Sequence, residues 1–264
     1  MKILFDNVVK NAALSSLNAS ANYPVRNLRD GFLRVRYEVG ATNDVVSIAL
    51  DEPTFINALY FGYTGNLADI QVALYRDGIL QTVALGAVHE VSSGGPIRIF
   101  ETGVIKHFGA GAVDYFGDYD GEQFASRHFD PVIADEIVFQ FTGVNPFYIG
   151  GVGAGLALDL PPAVAAWDDG YIDESVVTRS AHGQVQQQYI EPRDSFSFSF
   201  DSVEFDDFYM LKEAFRSVGS EPVWVTFFED SEDTFPPGYF SVTMSDQQRL
   251  RNNYSFTLRF EEAR

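Results

Sequence analysis

The chain has 264 residues, 46% of them hydrophobic and 15% aromatic, with no cysteine and a formal net charge of −19. That content excludes a disordered chain, a disulfide framework, a thiolate nucleophile and a zinc ribbon, and the length suffices for one large or two moderate domains. Residues 1–158 carry 10 Lys+Arg against 17 Asp+Glu and the remainder 8 against 20, a balance that argues against tight nucleic-acid binding, which relies on Lys and Arg neutralising phosphates.

The chain opens on Met1-Lys2-Ile3-Leu4-Phe5, a short apolar strand that Asp6 and Asn7 end too early for a secretory signal. A polar segment and the turn-rich stretch from Tyr23 to Gly31 follow, leading into residues 32–39. Strands are expected at 45–50, closed by Asp51-Glu52-Pro53, at 55–63 and at 70–75, the last followed by the turn Arg76-Asp77-Gly78. Further strand candidates lie at 97–100 and 137–141. Short strands at such spacing, with almost no helical period, predict a β-sandwich or jelly roll. No apolar run is long enough to span a membrane.

Between 106 and 129 the composition turns glycine-rich, aromatic and acidic, as expected of a long exposed loop. There Tyr115, Phe116 and Tyr119 are candidates for stacking on a sugar ring or for burial against a neighbouring subunit. Asp118, Asp120 and Glu122 fall at the first, third and fifth positions of a calcium loop, but Gln123 stands where its glycine belongs and Phe129 where its closing Glu belongs. Gly150, Gly153 and Gly155 have the wrong spacing for a dinucleotide fingerprint, and Pro161-Pro162 arrives where the phosphate-capping helix should run. A tightly packed or flexible strand exit is the better reading, and the prolines mark a domain boundary. The four histidines are scattered, and neither a nucleophile elbow nor a phosphate loop is present. No catalytic residue, metal ligand or cofactor is assigned.

Residues 167–174 read as an acidic turn, and 176–190 as two short strands. From 184 onward the alternation is clean. Phe196, Phe198 and Phe200 interleave with serines, as do Phe240, Val242 and Met244 with Ser241 and Thr243, and Tyr254, Phe256, Leu258 and Phe260 with Ser255, Thr257 and Arg259. Each run is a strand with one buried and one wet face. One segment has a different period. Phe208, Leu211, Phe215 and Val218 share a helical face, with Asp206 or Asp207 as the expected N-cap and Gly219 as the C-cap of a helix at about 206–218.

Two resemblances attach to these residues. The run from Ala19 to Gly31, then 45–50, then 56–61 leading into 66–75, resembles a galactose-binding-like (discoidin-type) jelly roll over roughly residues 11–158. The tryptophan usual after the Asp-Gly is absent, and Phe32 and Tyr37 are the nearest aromatics. The part from about Val164 resembles the tail-tube-like domains of tailed-bacteriophage distal tail and tail-tip proteins. The features that carry it are Tyr189-Ile190-Glu191-Pro192-Arg193, the 195–200 strand, the helix, the run from Glu221 to Phe228, the run from Pro237 to Val242, and the run from Tyr254 to Phe260.

Together the resemblances imply a mainly β protein. A galactose-binding-like β-sandwich at 1–160 is followed by a tail-tube-like antiparallel β-sandwich with one helix at 161–264. They imply a structural, non-enzymatic protein of the virion tail tip or baseplate, assembling with itself as a ring of six or three beside tail-tube, tape-measure and tail-hub proteins. An acidic lumen would let DNA pass as an unbound passenger. A hairpin carrying Glu229, Asp230, Glu232, Asp233 and Phe235 would reach an adjacent ring. The alternative from another class is a lectin-like module that attaches to host-surface glycans.

Overall fold

Strands follow the alternation. The computed structural model describes residues 1–29, 35–81, 97–98, 123–160, 164–173, 176–179, 185–188, 193–227, 238–248 and 254–263. In chain order these hold β1 (Lys2–Leu4), β2 (Ala13–Ser16), β3 (Tyr37–Val39), β4 (Asn43–Arg76), β5 (Ile79–Leu80), β6 (Ile97–Arg98), β7 (Gln123–Ile149), β8 (Gly151–Gly155) and β9 (Leu158–Asp159). Then come β10 (Val164–Ile172), β11 (Val176–Arg179), β12 (Val185–Gln188), β13 (Arg193–Val203), helix α1 (Phe205–Val218), β14 (Val223–Thr226), β15 (Gly238–Gln248) and β16 (Tyr254–Glu262). Two 3-10 turns sit at Val8–Asn11 and Val25–Arg29. The protein is mainly β, with one α-helix among the described residues.

The chain divides into two compact units, residues 1–160 with 224–238 and residues 161–223 with 239–263. A single boundary near 160 does not describe this. Residues 224–226 belong with the first unit because they pair with β1, Leu4 opposite Trp224 and Lys2 opposite Thr226.

The first unit is built on β4 and β7, both long enough to bend and serve two layers. Residues 136–142 pair on one side with 43–49 and on the other with 69–75, while 125–134 pair with 54–61. β2 extends the first layer beside 46–49, and β8 extends the second beside 58–62. The expected strands at 45–50, 55–63 and 70–75 all lie within β4. The Asp51-Glu52-Pro53 stretch is a shift in register between Ala49 and Thr54 rather than a break, because a bulge bends a strand without ending its pairing. The hairpin after Arg76 turns on Asp77 and Gly78 as expected, both at positive φ.

Between the layers, Phe61 meets Phe139 and Phe141 edge-on at 5.2 and 6.3 Å, and those two stack at 5.7 Å. Ile48, Ile56, Ile70, Val72, Leu74 and Ile137 complete the core. Residues 58–61 are buried on both faces. Leu59 and Phe61 point into the core, and Tyr60 stacks on Trp224 with ring centroids 5.7 Å apart. Gly153 is required beneath that tryptophan, since a Cβ there would lie 2.5 Å from Trp224 Cδ1. The glycine cluster is therefore a packed strand, β8, buried throughout.

The second unit contains an antiparallel sheet in the order β10-β13-β16-β15, with α1 on one face, and the hairpin β11–β12. Register pairs Phe196 with Phe260, Phe198 with Leu258 and Phe200 with Phe256, so the whole apolar set shares a face. Phe200 and Phe256 stack at 4.8 Å. From the helix, Phe208 stacks on Tyr254 at 4.5 Å and meets Phe256 at 5.9 Å. Burial of a phenylalanine side chain contributes about 1.5–3 kcal/mol, so this face dominates the stability of the unit.

Two expectations change. The N-cap of α1 is Glu204, whose side chain makes no capping hydrogen bond; Asp206 and Asp207 lie inside the first turn, where a carboxylate still complements the helix dipole. The helix starts early because Phe205 packs its ring 4.3 Å from Tyr209 and 5.7 Å from Tyr254. Gly219 does close the helix, its amide donating to Phe215 O at 3.0 Å. The expected acidic turn from Trp167 is instead strand through Ile172, paired with β13. Its charged residues misled the reading, and an edge strand tolerates them.

Candidate functional site

The residues singled out from sequence, Tyr115, Phe116 and Tyr119 on one loop and Glu229, Asp230, Glu232, Asp233 and Phe235 on the other, lie outside the described residues, as does the acidic run at 118–122. The site must be sought in what the first unit places together.

One cluster is a buried carboxylate. Asp44 is 1% exposed. It accepts from Ser16 Oγ at 2.5 Å, from the amides of Leu17 and Asn18 at 3.1 and 2.9 Å, and from the Tyr37 hydroxyl. Burial, and then the hydrogen bond to Asp44, push the Tyr37 hydroxyl far above the ordinary tyrosine range. Four donors on one carboxylate leave it nothing to offer a substrate. The network anchors residues 16–18 to β4, and Tyr37, one of the two aromatics nearest the missing tryptophan, is a core side chain.

A second cluster joins hydroxyls to a histidine. Thr226 Oγ1 donates to Ser126 Oγ at 3.0 Å and lies 3.0 Å from His128 Nε2. Ser126 and Thr226 are 5% and 2% exposed, and the His128 ring stands edge-on to Tyr60 at 5.5 Å. A serine nucleophile needs access to its substrate; this one is sealed beside Tyr60, and the chain of hydroxyls ties β7 to β14.

The third cluster is accessible. Tyr23 precedes the 3-10 turn at Val25–Arg29, Arg36 leads into β3, Glu38 is in β3, and Tyr148 ends β7. Register sets Glu38 opposite Tyr148, and Arg36, two residues before Glu38, shares its face. The guanidinium stands 4.5 Å from the Tyr148 ring centroid and 5.3 Å from that of Tyr23. Its Nη2 is 3.3 Å from Glu38 Oε2. Arginine over aromatic faces gains about 0.5–2 kcal/mol, and its planar fork keeps further donors for a ligand.

The backbone fixes this arrangement. Glu38 N donates to Tyr23 O and Ser20 N to Glu38 O at 3.3 and 2.9 Å, while buried Asn27 donates its Nδ2 to Arg36 O at 2.8 Å. Gly65 makes room for one wall, since a Cβ there would lie 2.2 Å from Tyr148 Cζ. The Arg36 side chain is 41% exposed and Tyr23 is 37% exposed. Two rings, a guanidinium and a carboxylate thus meet at the surface. That set suits a polyhydroxylated ligand with one apolar face: rings cover the C–H face, Arg36 donates to hydroxyls and Glu38 accepts from them. Sequence reasoning missed it because Tyr148 stands 110 to 125 residues from the other three members; only Tyr23 fell within the turn-rich stretch already marked.

Among the described residues no three His, Asp or Glu side chains are grouped to hold a metal ion, and no helix is long and apolar enough to cross a membrane.

No family model matches the chain, and no curated protein matches it by sequence. Solved structures similar to part of it include a carbohydrate-binding module of Clostridium perfringens in complex with GalNAc-β-1,3-galactose, at 11% identity and TM-score 0.39, covering 57% of this chain and 100% of that one. The family 32 module of Clostridium perfringens NanJ in complex with galactose is similar at 12% identity and TM-score 0.39, covering 58% and 98%. A pectin-binding carbohydrate-binding module is similar at 16% identity and TM-score 0.38, covering 56% and 93%. A likeness of this size is one of backbone only.

Proposed function

We propose that the first unit is a non-enzymatic carbohydrate-binding module whose ligand lies against Tyr23, Arg36, Glu38 and Tyr148. The observation that carries this reading is the half-exposed guanidinium held between two tyrosine rings beside a carboxylate. Glu38 and the net charge of −19 disfavour an acidic sugar, so the ligand is neutral. Retention of the full chain on immobilised neutral oligosaccharides tests this. Arg36→Ala is expected to weaken binding about 10- to 100-fold, the size of a hydrogen bond to a charged group. A wild-type chain that passes every such matrix unretarded would sink the reading.

A second reading, for the second unit, is a structural role in assembly, as in the distal tail of a tailed bacteriophage, with copies of the chain and neighbouring tail proteins as partners. It is supported by the exposed aromatic edge strand, where Trp167 and Tyr171 are 53% and 73% exposed, a density that suits a partner surface. Finding the polypeptide in purified virus particles would support it, and a strictly monomeric chain would remove it.

A further inference from the structure

Two surfaces of the second unit have complementary chemistry. The first is β10, the end strand of the order β10-β13-β16-β15. Trp167 lies opposite Phe198 and Asp169 opposite Phe196, so both project on the face that carries the helix. Tyr171 follows two residues on, giving an aromatic–carboxylate–aromatic row, all of it exposed. The second is an open groove of about 310 Å³ between the C-terminal half of α1 and β15. Phe215, Val242 and Met244 form its apolar part, and Lys212 and Arg216, one helical turn apart, supply two cations. Register sets Val242 opposite Phe260 and Met244 opposite Leu258, which puts the groove on the same face of the sheet as Trp167.

Charge decides what fits there. Residues 161–223 with 239–263 hold 7 basic against 15 acidic side chains, so copies of the unit repel one another except where acid can meet base. The groove is such a place, and the β10 row offers the matching acid between two aromatic anchors. Lys212 and Arg216, neighbours at i and i+4, stand about 5–6 Å apart on the helix, close enough for one carboxylate to meet both. The Arg216 contact with Glu213 at 2.6 Å is solvent-exposed, and such a pair contributes about 1 kcal/mol at most, so it yields readily to a partner carboxylate.

We propose that the second unit binds a second copy of this chain head to tail, Trp167 of one copy seating against Phe215, Val242 and Met244 of the next while Asp169 meets Lys212 and Arg216. The two patches differ, so the contact is heterologous, and each added copy leaves one patch of each kind unused; the products are rings or filaments rather than closed dimers. This rests on the assembly reading and names its contact.

The test is sedimentation of the full chain from low micromolar to about 100 μM, a range that spans weak association. One variant carries Trp167→Ser with Asp169→Asn, and the other carries Lys212→Glu with Arg216→Glu. The wild type is expected to form species larger than a dimer that shrink in high salt. Each variant alone is expected to be monomeric, and a mixture of the two to stop at 1:1 dimers, because each keeps the patch the other lacks. Should Trp167→Ser lose its fold, Asp169→Asn alone serves in its place. A wild type that stays monomeric throughout would overturn both the contact and the assembly reading. Assembly that both variants leave unchanged would overturn the contact alone.

Discussion

The two units bury aromatic residues in different ways, and the difference decides how much each shows in its sequence. In the second unit one face of the sheet takes α1 and the other carries Ser195, Ser197, Ser199, Thr257 and Arg259, so phenylalanine and serine alternate visibly. In the first unit residues 58–61 are covered on both faces, and β8 is buried throughout. A strand covered twice loses its alternation. A layered core also encloses polar groups, and Asp44 with its four donors is the cost of tying a loop into it. In the second unit Ser199 and Thr257 stay half-wet, their hydroxyls in contact at 3.1 Å.

The largest expected effect comes from removing what the first unit takes from late in the chain. A fragment of residues 1–160 lacks Trp224 against Tyr60 and the β14 partner of β1. It is expected to lose at least the 3–5 kcal/mol typical of a Trp→Ala truncation, read as loss of a cooperative melting transition; a sharp transition would show that the first core closes without it.

Single substitutions sharpen the comparison. Phe256→Ala is expected to cost about 3–5 kcal/mol and Asp44→Ala about 3 kcal/mol, through buried donors left without an acceptor. Denaturant midpoints check both. Gly153→Ala is expected to cost about 1–3 kcal/mol by forcing a methyl against the Trp224 ring.

Alkaline titration reads both units at once. Burial, and then the charge of Glu221, push the Tyr239 hydroxyl up to about 12, and Tyr37 is raised further. The unfolded chain sheds these protons near its ordinary tyrosine pKa of about 10 while the folded chain holds them. Above that pH the unfolded state binds fewer protons, so stability falls as pH rises, from about 10 through about 12 for Tyr239. Tyr37→Phe and Tyr239→Phe are each expected to flatten the decline in unfolding free energy measured over that range. The smallest effect belongs to Glu213→Gln, whose exposed pair with Arg216 contributes within about 1 kcal/mol.

The β class, the register-bearing runs at 195–200 and 254–260 and the helix were legible because local period reports local structure. The return of residues 224–226 to β1 was not, since nothing in Val-Trp-Val-Thr states which distant strand it will meet. The surface cluster was hidden for the same reason. Tyr23, Arg36 and Tyr148 converge only once β3 and β7 are paired. Exposed charge misread β10 as a turn, although the Trp167 and Tyr171 spacing was already that of a strand.

The pairing of residues 224–226 with β1 bears on how the polypeptide is made. A ribosome delivers the amino-terminal sandwich long before it delivers the strand that completes it. Until that strand emerges, Tyr60 and the outer side of β1 lack their cover. The nascent chain must wait with an apolar surface open to chaperones until residues 224–226 have been delivered.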